Sequence, residues 1–149
     1  MKDKIIFWFG TDFTQFSMAY YFQKKFDSEM YSIVDVTNET KDLLSAKSII
    51  LPGVGSFKNA MKNLESLDLR NRIKDFTLED RPILGICLGM QLLMESSEEF
   101  GYTDGLGIIK GEVKKFSNKI VPSIPHVGWN KVFHQYGDKR FLGKSFQED

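Results

Sequence analysis

The segment Pro82-Ile83-Leu84-Gly85-Ile86-Cys87-Leu88-Gly89-Met90-Gln91-Leu92-Leu93 joins two hydrophobic patterns. Its first half is a short apolar run of strand length, and its second half reads as a helix, so a buried strand passes straight into a helix. Gly85 and Gly89 stand two residues either side of Cys87. Without a β-carbon at those positions the backbone can bend sharply and approach its neighbours closely. The pattern predicts a tight strand-to-helix turn that holds Cys87 up from the sheet edge as a nucleophile. Near a helix N-terminus, unpaired N–H groups favour a thiolate, and the Leu88 N–H is placed to stabilise an oxyanion. By residue type alone a cysteine is more often a small buried hydrophobe; the flanking glycines reverse that preference.

Strands and helices alternate on the N-terminal side of this turn. Residues 4–9, 31–36, 48–51 and 82–86 read as strands, the third stopped by Pro52-Gly53. Residues 11–26 place Phe13, Phe16 and Tyr20 at helical spacing, and Asn38 or Thr40 is placed to cap a short helix through Leu43 and Leu44. Residues 59–67, 68–78 and 88–94 read as further helices. Such alternation predicts an α/β fold, a mostly parallel central sheet with helices on both faces. After Phe100 the pattern changes: Gly101, Gly105, Gly107 and Gly111 separate short runs at 108–109 and 112–116, with another at 127–133. These predict an antiparallel appendage, and residues 1–149 are expected to form a single domain.

Composition narrows the function classes. At 149 residues with 42% hydrophobic and 27% charged side chains, the chain can build a core and is not disordered throughout. Lys plus Arg and Asp plus Glu both number 20, so no global field favours nucleic acid or anionic lipid. The single cysteine cannot form an internal disulfide and fits a reducing compartment. The longest apolar stretches, 5–9 and 83–88, are strand-sized, and no signal-peptide pattern precedes the first. These features predict a cytoplasmic protein, with neither metal nor cofactor expected.

A second segment, Leu51-Pro52-Gly53-Val54-Gly55-Ser56-Phe57, also follows a strand. Ligand crevices of open α/β sheets lie at the carboxyl ends of the strands, so this loop and Cys87 are placed to converge. Its glycines allow N–H groups to approach an anionic oxygen. A phosphate loop would need a Lys-Ser/Thr pair that is absent, and taken alone a simple tight turn is the plainer reading. A third segment is Pro125-His126-Val127-Gly128-Trp129-Asn130. With Gly105-Leu106-Gly107, and in this order, the set resembles the class I (triad) glutamine amidotransferases, and among them the glutaminase subunits of imidazole glycerol phosphate synthases. The resemblance covers about residues 49–130.

That resemblance implies hydrolysis of glutamine to glutamate and ammonia through a thioester on Cys87, with ammonia passed to a partner synthase. It makes Cys87 the nucleophile and builds the oxyanion hole from the Leu88 N–H and an N–H of Gly53, Val54 or Gly55. A peptide reorientation in that loop would tie activity to the partner. Gln91 matches a contact to substrate glutamine, and Glu99 a carboxylate that holds the α-amino group. Trp129 falls on the partner-facing side. Without the resemblance, Glu99 reads as part of a solvated acidic face and Trp129 as a core anchor.

The sequence also departs from the family. Thioester chemistry needs a base, which the family takes from a late His-Pro-Glu segment absent here, as is its His-Ser-Tyr segment. The only histidines are His126 and His134, and neither is assigned as the base. The expectation is a domain incomplete at its C-terminus, inactive alone, with uncovered sheet edges that favour self-association. Gly10-Thr11-Asp12-Phe13 replaces the family's Gly-Asn turn. The partner is therefore either the cyclase barrel of histidine biosynthesis or a sugar amidotransferase of surface-polysaccharide synthesis. A degenerate, non-catalytic interaction subunit is a further alternative. Another cysteine-elbow protein, such as a stress-related hydrolase, is disfavoured by the Pro-His-x-Gly-Trp-Asn segment.

Overall fold

The computed structural model describes residues 4–7, 33–36, 39–117, 119, 124, 128 and 129. Strands β1 (Lys4–Phe7), β2 (Ile33–Val36), β3 (Ser48–Gly53) and β4 (Ile83–Cys87) form one sheet in the order β2-β1-β3-β4. Each neighbouring pair is parallel, as the alternation of elements predicts. Parallel neighbours need crossovers. Helix α1 (Thr40–Ser45) links β2 to β3, and α2 (Phe57–Ser66) and α3 (Leu69–Leu78) link β3 to β4. The helix predicted over 11–26 lies outside the described residues.

Helical spacing explains which side chains enter the core. Phe57, Met61 and Leu64 share one face of α2, and Leu69, Ile73 and Phe76 share one face of α3. They join Ile49 and Leu51 of β3 in one buried cluster. Each such side chain contributes about 1.5–3 kcal/mol when fully buried.

Several boundaries differ from the sequence-based expectation. Strand β3 does not stop at Pro52-Gly53; both residues pair with β4, opposite Ile86 and Cys87. The described pairing with β1 ends at Ile50, so the missing N–H of Pro52 falls where only one neighbour is paired. The N-cap of α1 is Glu39, not Thr40, whose hydroxyl instead donates to the Leu67 carbonyl at 3.2 Å; Asn38 lies outside the described residues.

Beyond β4 the chain forms α4 (Leu88–Leu92), β5 (Met94–Ser97), β6 (Thr103–Asp104) and β7 (Ile109–Val113). The appendage is therefore mixed, not wholly antiparallel: β6 runs antiparallel to β5 and β7 parallel to it. The two short runs predicted at 108–109 and 112–116 become one strand because Gly111, at φ 122, allows a register shift against Met94 and Ser96. The Gly111 N–H is taken up by Glu95 Oε2 at 2.9 Å. On this sheet the Tyr102 hydroxyl donates to Asp104 at 3.0 Å, and that hydrogen bond, with the aspartate charge, raises the phenol pKa above its ordinary value. Glu112, 2.7 Å from Lys114, raises the ammonium pKa in the same sense.

The chain divides into two compact units, Met1–Lys115 and Phe116–Asp149. All the elements above belong to the first. The strand predicted over 127–133 lies outside the described residues, except for Gly128 and Trp129. Among the described residues, no helix is long and apolar enough to cross a membrane.

Candidate active site

The register between β3 and β4 sets Gly53 directly opposite Cys87, so the glycine loop and the cysteine leave the sheet side by side. Cys87 is the last residue of β4 and the N-cap of α4, with φ 55 and ψ −121. A residue with a β-carbon adopts such a conformation at a cost of about 1–3 kcal/mol, and such strain concentrates at functional sites. The thiol is free and exposed.

The neighbouring glycines each have a steric reason. A β-carbon on Gly89 would sit 1.8 Å from the Leu51 carbonyl oxygen, and one on Gly85 would sit 2.6 Å from Met90 Cα. One on Gly53 would lie 2.8 Å from the Gly89 nitrogen. The end of β3, the turn and the start of α4 thus interlock backbone to backbone, as Gly-x-Cys-x-Gly predicts. Five residues make a marginal helix in isolation. Burial of Leu88 and Leu92 holds α4, and the following loop satisfies carbonyls at its end. Leu106 N–H donates to Leu92 at 2.8 Å, Ile108 N–H to Leu93 at 2.9 Å and Gly107 N–H to Met94 at 3.0 Å. A β-carbon on Gly105 would lie 2.1 Å from the Met94 carbonyl oxygen, so Gly105-Leu106-Gly107 supports the helix that follows Cys87.

The other predicted site residues fall as follows. Leu88 is the first residue of α4, where its N–H has no intrahelical acceptor. Gly53 ends β3, Val54 is 39% exposed, and Gly55 has φ 94 with open space around it. Gln91 is half-buried, one turn along α4 from Cys87. Glu99 is exposed as a residue, yet its carboxylate is engaged: Oε2 accepts the Phe57 N–H at 2.7 Å. Phe57 opens α2 two residues beyond Gly55, and the Ser56 N-cap makes no side-chain cap of its own. Glu99 thus supplies the cap and stands at the loop that begins opposite Cys87. Trp129 is fully exposed, so it is not the core anchor its residue type suggested. His126 and His134 lie outside the described residues.

Sequence reasoning missed Ser97. Its Oγ accepts the Glu99 N–H at 3.1 Å while its side chain is fully buried. The spacing Ser-x-Glu was the available signal, since serine hydroxyls commonly bond the amide two residues on. Among the described residues, no group of three or more His, Cys, Asp or Glu could hold a metal ion.

The profile of the family Glutamine amidotransferase class-I matches residues 9–148. Among curated proteins, the chain is similar to imidazole glycerol phosphate synthase subunit HisH 1 of Campylobacter jejuni, 50% identical over 115 residues, which are 76% of this chain and 57% of that one. It is 50% identical over 100 residues to the corresponding subunit of Cyanophora paradoxa, covering 67% of this chain and 46% of that one. With that of Methanocaldococcus jannaschii it shares 51% identity over 104 residues, 70% of this chain and 51% of the relative. The chain spans about half the length of the curated relatives it matches. With a strained cysteine between two sterically required glycines and a family match spanning nearly its whole length, the chain belongs to the class-I glutamine amidotransferases.

Proposed function

We propose that this chain is the glutamine-hydrolysing component of a two-part amidotransferase, with Cys87 as its nucleophile. The observation that supports this most strongly is the Cys87 backbone, held at φ 55 and ψ −121 beside Gly53. In this reading the Cys87 sulfur attacks the side-chain amide carbon of glutamine, forming a C–S bond and an oxyanion. The Leu88 N–H and an N–H from Gly53-Val54-Gly55 stabilise that oxyanion. Collapse breaks the C–N bond, and ammonia leaves with a proton; water then opens the thioester, releasing glutamate and restoring the thiol. Gln91 contacts the substrate, and Glu99 holds its α-ammonium group. We also infer that residues 1–149, though divided into the compact units Met1–Lys115 and Phe116–Asp149, belong to one glutamine amidotransferase-like domain.

The names of the relatives support an imidazole glycerol phosphate synthase as the assembly served, with the cyclase barrel of histidine biosynthesis as partner and Trp129, fully exposed, on the partner-facing side. The same proposal has the reaction run in the cytoplasm, a reading supported by a sequence whose single cysteine offers no internal disulfide. Self-association belongs to the same proposal, since β4 pairs only with β3 among the described residues and its Leu84 is 40% exposed. Both acylation and thioester opening need a base, and these 149 residues contain no His-Pro-Glu segment. The 149-residue chain, assayed for ammonia release from glutamine, is therefore expected to show no sustained turnover. Turnover abolished by Cys87→Ser would refute the absence of the base, and turnover that survives Cys87→Ser would refute the nucleophile.

A further inference from the structure

The stretch Glu95-Ser96-Ser97-Glu98-Glu99 is wholly polar, yet Ser97 is fully buried at the end of β5. A hydroxyl buried there needs a partner. It has one in the Glu99 N–H, and the resulting local turn fixes the direction in which Glu99 leaves the strand. At the far end of the same side chain, one carboxylate oxygen accepts the first amide of α2. Glu99 is thereby held at both ends, its backbone by Ser97 and one carboxylate oxygen by Phe57. A carboxylate has acceptor capacity for further donors at its second oxygen. Glutamate has much rotamer freedom to lose on binding a ligand, and a group already held does not lose it again.

We propose that Ser97 is a positioning residue: through the hydrogen-bonded chain Ser97–Glu99–Phe57 it presents the Glu99 carboxylate to the α-ammonium group of the amino-acid substrate, beside the loop that begins at Gly53. This rests on the glutaminase assignment above. The chain also makes Glu99 a physical link between the ammonium subsite and the start of α2, so a substrate bound at Glu99 bears on the segment that carries the oxyanion loop.

The test alkylates Cys87 in the 149-residue chain with three reagents: a chloroketone analogue of glutamine, the same chloroketone lacking its amino group, and iodoacetamide. Ser97→Ala is expected to raise the half-saturating concentration of the amino-bearing chloroketone about three- to tenfold, with the limiting rate within about twofold. Glu99→Gln, which keeps an oxygen for the Phe57 N–H but removes the charge, raises it further, and Ser97→Ala adds nothing in that background. The des-amino reagent and iodoacetamide label Ser97→Ala and the unsubstituted chain alike. The proposal is overturned if Ser97→Ala binds the amino-bearing reagent normally while Glu99→Gln does not. It is equally overturned if Ser97→Ala slows all three reagents together, because that is general damage. Absence of saturation in the unsubstituted chain, or normal behaviour of Glu99→Gln, overturns instead the assignment of Glu99 and this inference with it.

Discussion

At Cys87 the strand-to-helix turn forces a backbone conformation that glycine adopts without steric penalty and cysteine does not. Nothing about burial requires a cysteine there, since the side chain is exposed. Cys87→Gly should therefore stabilise the fold by about 1 kcal/mol, the relieved strain outweighing the extra flexibility of glycine in the unfolded chain. The change should at the same time abolish alkylation at position 87. Urea unfolding checks the first outcome and intact mass the second; a destabilised Cys87→Gly would contradict the strain. At this scale the site was partly legible. Gly85 and Gly89 announce a close backbone approach because only the absence of a side chain explains a glycine at each position. The bond from the Phe57 N–H to Glu99 joins residues 42 apart and leaves no local pattern to read.

Helices α2 and α3 were legible because each repeats its apolar residues every three to four positions, and burial of Phe57, Met61 and Leu64, then Leu69, Ile73 and Phe76, follows that repeat. Strand β5 was not. Leu92, Leu93 and Met94 extend the apolar run of α4, so the sequence predicts a helix to 94, whereas tertiary bonds from Leu106, Gly107 and Ile108 end it at Leu92. The polar Ser96 and Ser97 gave no strand alternation, although both are buried. Arg81 shows a similar long-range tie. Its guanidinium lies 4.0 Å from the Phe76 ring centre, donates to the Ala46 carbonyl at 2.9 Å and pairs with Glu79 at 2.8 Å. It thereby joins the C-terminal end of α1 to α3 and the entry to β4. A lysine supplies one compact charge where the planar fork makes several contacts, so Arg81→Lys should cost about 1–2 kcal/mol in urea unfolding. A change within about 0.3 kcal/mol would show that these contacts are screened surface pairs.

For the molecule as a whole, the parallel sheet, four-stranded among the described residues, brings two separate glycine-bearing segments to one sheet end, Gly53 opposite Cys87, and Glu99 is tied to the start of the helix that follows the first. The class of fold followed from the alternation of strands and helices. The mixed pairing of the second sheet did not, because whether β7 lies parallel or antiparallel to β5 depends on how the loop at 105–108 bonds back to α4 and β5, and that is tertiary information. The proposed chemistry depends above all on Cys87 acting as a nucleophile toward bound glutamine. The most direct measurement is alkylation of the 149-residue chain by a glutamine-like chloroketone, with the adduct located by peptide mass. A single adduct at Cys87 is expected, formed with saturable kinetics, slowed by free glutamine and lost in Cys87→Ser. An adduct elsewhere, or labelling of Cys87 that neither saturates nor responds to glutamine, would contradict it.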